Sequence, residues 1–369
     1  MKIGVLTSSR ADYGIYQPLL TELKKDANFL LEIIAFGMHL QAEQGNTIEA
    51  IRKDDYSKIY EVGTMPENDS VFDIAYGYGA LVNDFARFWK ENSFDLIFSL
   101  GDRWEMSAAV QSTIPFEIKL VHFYGGETTL GAIDDIYRHQ ITLASQFHFT
   151  ATDIYARRVA QLKGSEKNIF SVGSMSLESF DNLSLPKWSK VKVSFQIPFD
   201  SFILVTFHPE SVGAVKNVEY STTVFNTLNE LTTKYNLLIT AANSDAMGSI
   251  FNKKYLELEK LYPTRVRLVE ALGKLNYFSA IKHCQLMLGN TSSGIVEAAS
   301  FNKWVVNVGE RQKGRLKNKN VLDAPFDEGK ILTTLNVINI NAKYDGTNIY
   351  YKKDSVSKIL KEIKKLTAI

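Results

Sequence analysis

A chain of 369 residues is too long for one ordinary hydrophobic core and suits two domains. Its composition, 45% hydrophobic and 22% charged, is that of a globular protein. With 42 Lys+Arg against 41 Asp+Glu the formal net charge is +1, which lacks the basic excess of a protein that clamps a nucleic-acid backbone.

Short apolar runs alternate with longer amphipathic segments, the pattern of parallel sheets covered by helices. In the first half the expected strands are Ile3–Thr7, Leu31–Phe36, Asp95–Leu100, Leu120–Phe123, Phe147–Thr150 and Ile169–Val172. Asn182–Phe199, with Pro186 and Pro198, reads as a linker. The second half carries Phe202–Thr206, Leu237–Ala241, Val266–Val269, Leu286–Gly289 and Val305–Val308. This predicts an α/β protein of two Rossmann-like doubly wound domains facing across a cleft, residues 1–180 and 181–351. A last helix within 352–369, with Val356, Ile359, Leu360 and Ile363 at helical spacing, is expected to cross back to the first domain. The single cysteine, Cys284, lies in an apolar stretch and reads as a core residue. The start directly on a strand, and the lack of an apolar run near ~18–20 residues, predict a cytoplasmic protein without membrane contact.

Open parallel sheets bind ligands beyond the carboxyl ends of their strands, so the residues just after each strand carry the information. After the first comes Ser8-Ser9-Arg10-Ala11-Asp12-Tyr13-Gly14, a turn into a helix with a forked cation suited to phosphate. An ordinary strand-to-helix turn is the plain alternative. Asp102 and Arg103 follow the strand Asp95–Leu100, either as cleft groups, with Asp102 able to handle a proton, or as a local helix-capping pair. The densest polar cluster, from His122 to His139, holds Glu127, Asp134, Asp135 and Arg138 among three glycines. Helix capping by Asp134 and Asp135 accounts for only part of it. His208, past the strand Phe202–Thr206, can exchange a proton near neutral pH. Asn243 offers an amide at the same sheet edge.

Asn290-Thr291-Ser292-Ser293-Gly294 is the strongest signal, a loop of small hydroxyl residues leading into a helix whose free N–H groups can cradle a pyrophosphate. Glu297, one turn on, is placed to accept bonds from ribose hydroxyls. Arg311, Lys313 and Arg315 then bring cations after the next strand, for an anion or merely for solvent.

In this order, the blocks Ser9–Gly14, Gly37-Met38-His39-Leu40, Gly101-Asp102-Arg103, Gly125-Gly126-Glu127 with Thr129, Asp134-Asp135 with Arg138-His139, Phe207-His208-Pro209-Glu210, Gly289–Gly294 with Glu297, and Arg311–Arg315 resemble the hydrolysing branch of the UDP-N-acetylglucosamine 2-epimerase family, from sialic-acid-type sugar biosynthesis. The resemblance covers nearly the whole chain and implies a GT-B-like fold, a UDP-sugar substrate, no NAD, no essential metal and, commonly, a homodimer. Carried over by position, Arg10, Ser292, Ser293, Gly294 and Glu297 look like diphosphate and ribose contacts, and Arg315 joins the candidate nucleotide- or substrate-binding residues. Asp102, Arg103, Glu127, Asp134, Asp135, His139 and His208 look like the sugar-side and catalytic group.

Two departures stand out. Tyr124 replaces an acid or a histidine of other members, and Gly173-Ser174-Met175-Ser176-Leu177-Glu178 replaces a glycine- and proline-rich segment. The implied reaction releases UDP and inverts carbon 2, giving a free N-acetylmannosamine-type sugar through a glycal. A 2,4-diacetamido-6-deoxyhexose, the precursor type for legionaminic acid, fits the motifs equally. The rival readings are a nonhydrolysing UDP-sugar epimerase, a glycosyltransferase, and a nucleotide-sugar sensor without turnover.

Overall fold

Central strands buried on both faces read as continuous apolar runs, and the described residues hold thirteen strands in all, every pairing between them parallel. The structure is a computed structural model that describes residues 1–41, 47–63, 65–66, 70–242, 247–339 and 342–367. It divides into two units: Met1–Glu127, Asp134–Ser179 and Tyr350–Ile369 form unit 1, and Thr128–Ile133 with Phe180–Ile349 form unit 2.

Unit 1 runs β1 (Lys2–Thr7), α1 (Arg10–Lys24), β2 (Leu30–Ala35), α2 (Ile48–Arg52), β3 (Lys58–Glu61), α3 (Val71–Glu91), β4 (Leu96–Leu100), α4 (Trp104–Gln111), β5 (Leu120–Phe123), α5 (Asp134–Ala144), β6 (Phe147–Thr150), α6 (Asp153–Lys163) and β7 (Ile169–Ser171). Unit 2 runs α7 (Trp188–Phe195), β8 (Ile203–Thr206), α8 (Asn217–Leu231), β9 (Leu237–Thr240), α9 (Gly248–Leu261), β10 (Val266–Val269), α10 (Lys274–His283), β11 (Met287–Gly289), α11 (Ser292–Val296), β12 (Val305–Val308), β13 (Val321–Ala324) and α12 (Glu328–Val337). The last helix, α13 (Ser355–Thr367), belongs to unit 1.

The sheet orders are β3-β2-β1-β4-β5-β6-β7 and β10-β9-β8-β11-β12-β13. Each reverses direction of growth once, between β1 and β4 and between β8 and β11, so each sheet has a switch point flanked by the loops after those two strands. Alternation along β4 shows how one strand serves two cores. Leu96, Phe98 and Leu100 face the α1 side, and Ile97 faces α3 and α4 with Phe85, Trp89 and Met106. In unit 2, Ile203 and Val205 pack with α8, α9 and α12, while Leu204 packs with α7 and α10.

Val356, Ile359 and Ile363 of α13 are buried in the α1-side core, each contributing roughly 1.5–3 kcal/mol of burial. The Val356 N–H donates to Glu178 Oε2 (3.1 Å), which satisfies one of the helix's first donors. The stretch read as a linker holds α7, and its Trp188, Val191, Ile197 and Phe199 are core residues of unit 2, so it is part of that unit rather than a free connection. Cys284 is buried, and burial pushes its thiol up to about 12. No helix among the described residues is long and apolar enough to cross a membrane.

Candidate active site

At the unit 1 switch point, β1 enters α1 through Ser8 and Ser9. The carboxylate of Asp12 gathers this turn: it accepts from the N–H groups of Ser8 (2.8 Å), Ser9 (2.9 Å) and Tyr13 (2.8 Å). Ser9 and Asp12 complete a capping box. Arg10 is left exposed at the first residue of the helix. His39 is buried, with Nε2 2.9 Å from the Thr7 hydroxyl and Nδ1 2.8 Å from that of Thr47. Burial holds its pKa below the ordinary value, so it braces the turn as a neutral ring.

On the other side of that switch point, β4 ends at Leu100, and Gly101, at φ +86°, turns the chain into Asp102 and Arg103. Arg103 stands at the position just before α4 and its side chain pairs with the fully buried Glu105 at 3.0 Å. Asp102 pairs with Arg138. Arg138, 1% exposed, also donates to Asp135 Oδ1 (2.9 Å) and to the Glu127 carbonyl (3.1 Å), so one guanidinium fixes the three acid-bearing segments after β4 and β5. Asp134 and Asp135 open α5, half-buried, and His139 Nε2 lies 3.6 Å from Asp135 Oδ2. Burial lowers the pKa of His139 against the pull of Asp135. Glu127 is buried. The sequence pattern placed these acids together but not Arg138 as the anchor of Asp102, Asp135 and the Glu127 carbonyl; an arginine three residues after the helix-opening Asp135 was the available signal.

Behind this group, His122 Nε2 is 2.9 Å from the Gly101 carbonyl, an acceptor only, so the ring carries its proton there, and the Thr142 hydroxyl donates to Nδ1 (3.1 Å). His148 stands beside it in register on β6, its ring nitrogens without a hydrogen-bond partner of normal geometry among the described residues. Burial pushes His122 down to about 4 and His148 to about 3. Both folded values lie below the ordinary 6.5, so the unfolded chain binds more protons between them. Their contribution is fully present above pH 6.5 and is lost as pH falls toward 4 and 3. Between pH 6.5 and 5, His148 alone is expected to remove about 2 kcal/mol. A His148→Leu variant therefore loses less stability over that range than the parent in urea unfolding; equal losses in both would rule the buried histidine out as the cause.

Tyr124 does not stand open. Its hydroxyl accepts from the Met175 N–H (2.7 Å) and shares a hydrogen bond with the Ser174 hydroxyl (3.3 Å). The two places where the sequence departs from the family pattern are therefore partners of one another.

In unit 2, His208 follows β8 and is clamped by the buried Asn290. The His208 N–H donates to Asn290 Oδ1 (2.7 Å), and Asn290 Nδ2 donates to the His208 carbonyl (2.8 Å). That clamp joins the loops after β8 and β11, the two sides of the second switch point. Gly289 is required there, because an added Cβ would lie 1.8 Å from the Thr206 carbonyl oxygen. The helix that follows, α11, is only five residues, and Glu297 is its C-cap, not a residue one turn into a longer helix. Ser292 is exposed, Ser293 half-buried and Glu297 buried. Gly294 is explained by packing: a Cβ would meet Val305 Cγ1 at 2.9 Å.

Sequence reasoning missed two neighbours of Glu297. Tyr277 lies near Thr206, Ser293 and Glu297, and burial pushes its phenol up to about 12. Lys274, at the start of α10, feels the charge of Glu297 while burial lowers its pKa. Gly273, at φ +71°, just before the helix was the signal for a strand-end turn. Glu210, buried, accepts from the N–H groups of Glu310 (2.5 Å) and Arg311 (3.1 Å), and burial raises its pKa. Arg315 is half-buried and donates to Gln312 Oε1 (3.1 Å). Asn243 lies outside the described residues.

Comparison with known proteins supplies the context for these strand-end groups. A protein-family model described as UDP-N-acetylglucosamine 2-epimerase matches residues 21–364. The chain is 32% identical to the GDP/UDP-N,N'-diacetylbacillosamine 2-epimerase (hydrolyzing) of Campylobacter jejuni, over 89% of this chain and 85% of that protein. It is 29% identical to the polysialic acid biosynthesis protein P7 of Escherichia coli, over 98% and 93%. Its fold is that of the UDP-GlcNAc 2-epimerase from Neisseria meningitidis solved with UDP-GlcNAc, with TM-score 0.81, 15% identity, and coverage of 99% of this chain and 100% of that one. The matched span takes in every strand-end group described above except the Ser8–Tyr13 turn, and the chain belongs to the UDP-N-acetylglucosamine 2-epimerase family.

Proposed function

We propose that this chain is a hydrolysing 2-epimerase that converts a UDP-N-acetylglucosamine-type sugar to UDP and a free N-acetylmannosamine-type sugar. The observation that carries the reading is the buried Arg138, which gathers Asp102, Asp135 and the Glu127 carbonyl into one acid cluster. A catalyst that must take a proton from one face of a sugar carbon and return one to the other needs more than one acid–base group in reach. Two relatives at 32% identity carry the word hydrolyzing in their names, which supports the same branch.

In the proposed reaction the bond between carbon 1 and the phosphate oxygen breaks, and UDP departs with the electron pair. Arg10, Arg315 and the Ser292–Gly294 turn stabilise the leaving diphosphate. A carboxylate, Asp102 or Glu127, takes the carbon 2 proton to give the glycal. Arg103, Asp134, Asp135, His139 and His208 complete the sugar-side group. Water then adds at carbon 1 while a proton reaches carbon 2 from the opposite face. Replacement of UDP by water makes the reaction irreversible in practice.

A second reading of the substrate has its own support. The Campylobacter jejuni and Legionella pneumophila relatives are named for diacetylbacillosamine, so a UDP-2,4-diacetamido-2,4,6-trideoxyhexose is the alternative sugar. Incubation with both UDP-sugars and their GDP counterparts, with products identified by NMR, decides between them. Turnover of none, with UDP still bound, would make the protein a sensor. The reading places the enzyme in the cytoplasm as a homodimer. The exposed apolar face of α3, with Val71, Phe72 and Tyr76, supports a second copy as its cover.

On this reading Glu297 accepts the ribose hydroxyls. Glu297→Ala is expected to weaken UDP by about 1.5–3 kcal/mol, the scale of hydrogen bonds to a charged group. Calorimetry that finds unchanged affinity would remove Glu297 from the nucleotide site.

A further inference from the structure

Glu127 and Asp134 belong to unit 1, yet the six residues between them, Thr128–Ile133, belong to unit 2. Backbone holds this segment there. The Leu130 N–H donates to the Lys313 carbonyl (2.9 Å), and the Ile133 N–H to the Ser211 hydroxyl (3.3 Å). Gly131 lies so close to the next turn that an added Cβ would sit 2.1 Å from the Glu310 carbonyl oxygen and 2.9 Å from the Arg311 nitrogen. Both neighbours are main chain and cannot swing aside. At Gly314, at φ +83°, an added Cβ would meet the Thr128 side chain, 2.8 Å from Cγ2.

The turn that receives the segment is itself fixed. The Glu210 carboxylate holds the Glu310 and Arg311 amides, and the Gln312 side chain donates to the Asn290 carbonyl (2.9 Å), just ahead of α11. The anchors leave little slack. Leu130 is three residues from Glu127, and Ile133 is bonded directly to Asp134, where each residue spans at most about 3.6 Å. A shift of the 309–315 turn therefore reaches both acids through the main chain.

We propose that Thr128–Ile133 is a coupling strap, through which nucleotide held by the 292–297 and 311–315 segments sets the position of Glu127 and Asp134. Gly131 and Glu210 are its positioning residues. The proposal rests on the nucleotide-sugar reading above.

Amide hydrogen exchange on the full chain, with UDP as the probe, tests it. In the parent protein UDP is expected to slow exchange over 290–297 and 309–315, and also over 126–137. In Gly131→Ala the first protection stays and that over 126–137 is lost. UDP affinity remains within twofold while kcat falls tenfold or more. Ser211→Ala, which leaves the main chain unstrained, gives a smaller loss in the same direction. Protection by UDP over 290–297 but not over 126–137 in the parent would overturn the strap, and so would a Gly131→Ala enzyme with parental kcat. No protection anywhere would overturn the nucleotide reading itself, and the strap with it.

Discussion

Asp102→Asn and Glu127→Gln are each expected to lower turnover of the UDP-sugar at least about a hundredfold while UDP binds as before. The two changes keep shape and remove the ability to accept a proton. Asp102 is directed by Arg138, and that arginine keeps Asp135 and the Glu127 carbonyl when Asp102 becomes neutral, so its position survives the substitution. Glu127 engages Arg138 through its backbone carbonyl, which Gln leaves unchanged. General acid–base groups contribute about 10²–10⁴-fold, so a true proton carrier cannot be replaced silently. Release of UDP measured against time gives kcat, and calorimetry gives the affinity. A variant with parental kcat loses its place in the proton transfer.

Arg138→Leu is expected to cost unit 1 roughly 3–5 kcal/mol, the scale for removing one partner from a buried charge pair. The guanidinium is 1% exposed and meets two carboxylates and a carbonyl. Without it, Asp102 and Asp135 repel and the Glu127 carbonyl loses a donor. Asp102 keeps partial access to water, at 29% exposure, which places the loss toward the lower end. Arg138→Lys keeps the charge but not the fork, so it recovers part of the stability and little of the turnover. Urea unfolding followed through the unit 1 tryptophans, Trp89 and Trp104, reads the first effect. A midpoint like the parent's would show that the acids hold themselves.

Local pattern made most of the scaffold readable. β5 and β6 stand where their apolar runs predict, β1 starts one residue earlier and β2 is shifted by a single residue, because central strands buried on both faces need uninterrupted apolar side chains. The two strands that escaped notice, β3 and β13, each lie at one edge of their sheet. Lys58–Glu61 and Val321–Ala324 are part-exposed and mix charge with apolar residues, so no run marks them. The strand-end rule located the acids, His208 and the Ser292–Glu297 turn. It did not mark which of these side chains serve the fold. Asp12 within the Ser9–Gly14 block is a cap, Gly294 is a packing glycine, and Arg138 is an anchor. Each of those roles depends on a partner, most of them distant in sequence, such as Val305 for Gly294 and Asp102 for Arg138. Lys274 and Tyr277 escaped for the same reason, since their tie to Glu297 spans about twenty residues.

Isotope incorporation from solvent tests the proposed hydrolytic epimerisation most directly. The reaction is run once in heavy-oxygen water and once in deuterated water. Breakage between carbon 1 and oxygen predicts the heavy oxygen on carbon 1 of the free sugar and none on the released UDP. Return of a proton from a solvent-exchanged acid predicts deuterium at carbon 2. Heavy oxygen on UDP, a free sugar without deuterium at carbon 2, or an epimerised UDP-sugar as the sole product would each contradict the account.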